Sequence, residues 1–145
     1  LHEEGHLTER TRFLPLARHW PAVLAFALRH GFLPRALARA LEYRAQLVAL
    51  CEAEEPRLVL ADCLGAAEES GGYLAHGEAY RELVEDFLAL LVERRAEFAG
   101  LEPRRYALYQ LHTLARAEVR RVALALARRD GLVAPGYEPP ARPGE

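Results

Sequence analysis

The chain has 145 residues, 51% of them apolar, and its 19 basic and 21 acidic residues leave a net charge of −2. That length suits one domain with its own core, burying roughly 70% of the unfolded surface. The balanced charge, with no basic arm, argues against nucleic acid as a partner, and no apolar run approaches the ~20 residues of a membrane helix.

All the basic residues are arginine, and Lys, Met, Ile and Asn are absent. This thermophile-like composition fits a heat-adapted host or a G+C-rich coding sequence. The first residues are charged and lack the apolar stretch of a secretory leader. Cys51 and Cys63 form neither a CxxC pair nor a zinc ribbon, so buried free thiols in a reduced, cytoplasmic compartment are expected.

Helix formers dominate, and Pro and Gly mark the breaks. Leu1 to about Arg12 reads as a helix. Pro15 and Pro21 interrupt the next stretch, and Pro21 suits the first position of a helix that ends at Gly31 with His30 in its last turn. Pro34 starts a longer helix reaching about Glu55, and Pro56 starts another that stops before Gly71-Gly72. The stretch "ESGGYLAHGEAY" is a Gly-rich loop. Between Glu78 and Phe98, Leu83, Phe87, Leu90 and Leu91 form an amphipathic stripe that Gly100 ends. Pro103 opens a last long helix to Asp130-Gly131. The arginine pairs 94–95, 104–105, 120–121 and 128–129 alternate with Glu and read as a solvated, ion-paired surface.

The expected fold is therefore all-α: a single bundle of five to seven helices over residues 1–131, followed by an irregular Pro-rich tail, 132–145. Removing Pro135–Glu145 is expected to cost little stability, because prolines leave few backbone donors to satisfy.

The first residues, His2-Glu3-Glu4-Gly5-His6, fit H-E-x-x-H. Residues four apart on a helix share a face, so His2 and His6 can aim two imidazoles at one ion. Glu3 lies about 100° round the helix, beside the metal, where a carboxylate can deprotonate a bound water. In this the chain resembles the HExxH zinc metallopeptidases. The metzincin pattern is excluded, since its Gly and third His fall on Glu9 and Arg12. The gluzincin-like pattern takes a Glu from a later helix.

That resemblance implies a Zn2+ site with His2, His6 and Glu42 as ligands and Glu3 as general base, acting on a peptide or protein substrate. His19 and His30 are alternatives for the third ligand. It also implies a substrate-binding sheet upstream, so that this chain would be the C-terminal, metal-site part of a longer enzyme. On a helical wheel, Leu37, Leu41 and Val48 form the main apolar stripe. Glu42 falls between the small residues Ala38, Ala45 and Ala49 and the polar Arg35, Arg39 and Gln46, with Arg39 as an alternative i,i+3 partner. Such peptidases often add a Tyr or His that steadies an oxyanion, and Tyr73, His76 and Tyr80 offer that role.

Two other readings compete. The runner-up is a non-catalytic all-α protein-interaction domain. Arg105 and His112, six residues apart in "RRYALYQLH", resemble the R-x(4–6)-H element of HEPN ribonucleases, although Tyr106 stands where that family carries a small polar residue. A HEPN-like ribonuclease comes third.

Overall fold

The computed structural model describes residues 16–69, 75–134 and 136–137. The expected opening helix, with His2, Glu3 and His6, lies outside them, as do Tyr73 and residues 138–145. Among the described residues there are five α-helices, two 3-10 helices and no strand. The α-helices are α1 Leu16–Arg29, α2 Pro34–Glu52, α3 Pro56–Glu69, α4 Ala75–Glu93 and α5 Arg116–Arg129. The 3-10 helices are Arg95–Glu97 and Ala107–Thr113. No helix of the described residues is long and apolar enough to cross a membrane.

Proline and glycine act where the sequence places them, with two exceptions. Pro34 and Pro56 are the first residues of α2 and α3, where a missing N–H costs nothing. At the end of α1 the amide of Gly31 donates to the Leu28 carbonyl and that of Phe32 to the Ala27 carbonyl. Gly131 and Leu132 repeat this at the end of α5, bonding to Arg128 and Ala127. Both are Schellman caps, and Gly31 and Gly131 each take a φ of +66° that a side chain would resist.

The exceptions are Pro21 and Pro103. Pro21 lies inside α1, which starts at Leu16. As its sixth residue it lies past the first turn, so it forfeits the bond to the residue-17 carbonyl and its ring crowds that carbonyl. Pro103 starts no helix: a loop and a 3-10 segment fill residues 101–115, and α5 begins only at Arg116. There the Glu118 carboxylate accepts the Ala115 amide at 2.8 Å and stops the helix from extending backwards. Likewise α4 ends at Glu93 rather than running to Phe98.

Helices α2 to α5 form the bundle. A three-residue connection makes α3 antiparallel to α2, with Cys63 facing Gln46. Helix α4 runs parallel to α2. Arg35 pairs with Glu78, Arg39 with Glu82 at 3.4 Å, and the Tyr43 hydroxyl donates to Asp86 at 2.9 Å. Each partner lies 43 residues on, and the rungs recur every four residues. Arg39, the alternative i,i+3 partner of Glu42, instead makes a contact between helices.

Helix α5 returns antiparallel to both. Arg129 binds Asp86 at one end, and Arg120 reaches α2 at the other, donating to Cys51 O at 3.1 Å and Ala53 O at 2.7 Å. Arg120 is 4% exposed, so this member of an arginine pair is interior and not solvated surface. It satisfies carbonyls that a helix C-terminus leaves without partners. The core holds Leu47 and Leu50 of α2, Leu83, Phe87 and Leu91 of α4, and Val119, Val122 and Leu126 of α5.

The start of the tail is not idle. Leu132, Val133 and Tyr137 pack against the core. The Tyr137 hydroxyl donates to Glu52 at 2.7 Å, and Arg128 donates to the Tyr137 carbonyl at 2.7 Å. Tyr137→Ala is therefore expected to cost about 1–2 kcal/mol, one part-buried ring and one charged hydrogen bond. Thermal melts of the full-length chain check this; an unchanged melting temperature would restore the expectation of a dispensable tail.

Candidate functional site

Of His2, His6, Glu3 and Glu42, only Glu42 lies among the described residues, and it is 2% exposed. The buried face of α2 is not the apolar stripe of the wheel. Leu37, Leu41 and Val48 are only half-buried, whereas Glu42, Ala45, Gln46 and Ala49 face inwards. The reason is mutual satisfaction. Tyr80 of α4 donates its hydroxyl to Glu42 Oε1 at 3.0 Å. Gln46 Nε2 donates to the same oxygen at 3.3 Å and to the Tyr80 oxygen at 3.1 Å. Cys63 of α3 donates its thiol to Gln46 Oε1 at 3.8 Å. A hydrogen-bonded polar cluster is tolerated in a core where an isolated carboxylate is not.

Two residues singled out for different roles, Glu42 as ligand and Tyr80 as oxyanion donor, thus touch. Tyr73 lies outside the described residues, and His76 falls in the first turn of α4. His19 lies in α1, and His30 closes the same helix. No group of three or more His, Cys, Asp or Glu suited to a metal occurs among the described residues. With His2, Glu3 and His6 outside that set, the fit to zinc rests on Glu42 alone: a buried carboxylate oxygen already held by two donors.

Burial, followed by the Glu42 charge and hydrogen bond, raises the Tyr80 hydroxyl from 10.0 to about 12. Burial likewise raises the Cys51 and Cys63 thiols from 9.0 to about 12, with Glu52 and Asp62 the next causes. These groups keep their protons in the fold and lose them more readily unfolded. Their stabilisation is complete below pH 9 and drains away as pH rises towards 12. Urea melts at pH 8 and pH 10.5 should show lower stability at the higher value, by a smaller margin in Tyr80→Phe. A flat profile would place these groups in contact with water.

A second site lies between α4 and α5, where the sequence suggested that Pro103 opens a long helix. The loop 102–106 is tied down from beneath by two side chains. Arg95 donates to Pro103 O at 2.8 Å and Arg105 O at 2.6 Å. Gln110, 4% exposed, accepts the Glu102 amide at 2.6 Å and donates to the carbonyls of Glu102 at 3.2 Å and Arg105 at 3.1 Å. With its backbone thus satisfied, the loop presents its side chains outwards.

Tyr106 is 80% exposed and Tyr109 72%, their rings edge to face at 6.3 Å. Leu108 and Val92 are exposed as well. Pro103 to Ala107, with Val92 and Arg95, line an open groove of about 410 Å³. Arg104 and Arg105 stand on its rim, Arg105 against Glu102 at 3.2 Å. His112 is exposed on the 3-10 helix, so Arg105 and His112 do not share an α-helical face. Sequence reading missed this loop because "RRYALYQLH" is composed of helix formers, and nothing local shows that Gln110 turns inwards. Neither a family model, a curated protein nor a solved structure matches the chain.

Proposed function

We propose that this chain is a non-catalytic all-α binding domain that captures an extended, acidic protein segment on the loop 102–109. The carrying observation is the pair of exposed tyrosines, Tyr106 and Tyr109, on a loop whose carbonyls are pinned by buried Gln110 and by Arg95. Exposed aromatics are costly to keep in water and concentrate at interfaces, where their rigid rings give contact area with little loss of freedom. Pre-organisation of the loop removes part of the ordering cost of binding. Arg104 and Arg105 at the rim select acidic residues in the partner.

Selection of displayed twelve-residue peptides against the full-length chain tests this. The selected peptides should combine Asp or Glu with apolar residues. Their affinity should fall by roughly 100-fold or more in Tyr106→Ser/Tyr109→Ser, the scale of two hot-spot residues. Both positions are exposed, so the circular-dichroism melt should move little. Peptides that bind wild type and double variant alike would remove the loop from the function.

A second reading, zinc-dependent peptide hydrolysis, is favoured by the contact between Glu42 and Tyr80. In it His2, His6 and Glu42 would hold Zn2+, Glu3 would serve as general base, and Tyr80 would stand beside the ligand Glu42. Bound zinc would supply Lewis-acid activation of that water. Zinc titration of the wild-type chain and of His6→Ala decides it. The reading requires one equivalent bound tightly by the wild type and lost in His6→Ala. No zinc uptake by the wild type would end it.

A further inference from the structure

A cavity of about 180 Å³ opens at the end of the bundle where α1 finishes, with walls from four helices. Arg29 and His30 come from the end of α1, Arg39, Tyr43 and Arg44 from α2, Glu82 and Asp86 from α4, and Arg129 and Asp130 from the end of α5. We propose that this cleft binds a phosphoryl dianion between Arg29, His30 and the arginines of α2.

The charges of the cleft divide into two sides. On the α4 and α5 side each carboxylate is engaged: Glu82 by Arg39, Asp86 by Tyr43 and Arg129, and Asp130 by Arg129 at 3.3 Å. On the α1 side the wall is positive. Arg44 lies over the Phe26 ring at 5.8 Å, and the His30 ring packs on the same Phe26 at 4.6 Å. Arg29, the last residue of α1, is exposed and lines the cavity.

The imidazole of His30 senses the imbalance. Its pKa is lowered first by burial and then by Arg29, Arg39 and Arg44. At neutral pH it is an uncharged donor beside Arg29, Arg44 and Arg39, the last shared with Glu82. A doubly negative, tetrahedral group with several acceptor oxygens complements such a set, since guanidiniums bind phosphoryl oxygens by paired hydrogen bonds. The volume exceeds that of phosphate alone and leaves room for the first atoms of an ester.

Position supports the assignment. The cleft is framed by the two Schellman caps, at Gly31 and Gly131, and by the Tyr43–Asp86–Arg129 contact. These fix the walls before a ligand arrives, so binding requires no refolding. The site shares no residue with the loop 102–109 and holds or falls independently of the function proposed there.

Linkage gives the test. An anion that binds beside His30 must raise its pKa. The imidazole resonances of the full-length chain are followed by NMR against pH, with His30 assigned from His30→Gln. The titration is run without addition, with inorganic phosphate, with phenyl phosphate, and with sodium chloride at matched ionic strength. The expected result is a rise of His30 by about one unit with phosphate and little change with chloride. Arg29→Ala should weaken phosphate at least fivefold, and Arg29→Lys should keep most of the affinity. Stronger binding of phenyl phosphate marks an esterified ligand, and equal binding marks free phosphate. An equal rise with chloride would reduce the effect to screening and overturn the proposal, as would phosphate affinity unchanged in Arg29→Ala.

Discussion

Phe87→Ala is expected to remove about 3–5 kcal/mol of stability, the scale of an aromatic ring truncated in a core. Phe87 is fully buried at the centre of α4, the helix that packs on α2, α3 and α5. The substitution removes a whole ring, and the surrounding leucines close the void only in part. For a chain of this size each kcal/mol lowers the melting temperature by roughly 3–5 °C, so a fall of roughly 10–20 °C is expected. Calorimetry and urea titration should agree on it. A loss under about 1 kcal/mol would mean that α4 is not central to the core.

Arg120→Met is the second large effect, and its cause is different. Methionine matches the apolar stem of the arginine, so little packing is lost. What goes is the guanidinium that satisfies the carbonyls of Cys51 and Ala53 at the end of α2. Each buried carbonyl left without a donor costs about 1–3 kcal/mol, giving a total of roughly 2–6 kcal/mol for the two. Amide exchange should quicken first in the last turn of α2 and at Ala53, whose amide bonds to Ala49 O at 2.8 Å. Uniform loss of protection across the bundle would point instead to a general packing defect. An unchanged melting temperature would mean that water reaches those carbonyls.

The two cases show which part of the fold was legible in the sequence. Phe87 stood in a stripe with Leu83 and Leu91, and periodicity placed it inwards correctly. Pro34, Pro56, Gly31 and Gly131 act through their own backbone geometry, so their boundaries were readable without knowledge of any partner. Arg120 was not readable. It sits beside Arg121 in a run that looks like solvated surface, and its partners lie 67 and 69 residues away.

Glu42 and Gln46 misled for the same reason. A helical wheel scores each residue by its own polarity, and their burial depends on Tyr80 and Cys63 arriving from other helices. The loop 102–106 was hidden because one inward glutamine and one arginine, not local turn residues, hold its shape. The sequence singled out Glu42 as a metal ligand, not as a buried carboxylate. Its neighbours came only from the fold.

The repeating rungs between α2 and α4 have a consequence for register. Sliding α4 by one helical turn, about 5.4 Å, would offer Arg35 to Glu82 and Arg39 to Asp86. The ionic pattern is therefore nearly degenerate, and it holds the helices side by side without deciding their alignment. The decision falls to the buried contacts. In the shifted alignment the Tyr80 hydroxyl would leave Glu42, Val84 would take its place against a buried carboxylate, and Phe87 would leave its seat in the core. Phenol and phenyl ring together act as the detent of the pair, and the exposed charges only keep the two helices abreast.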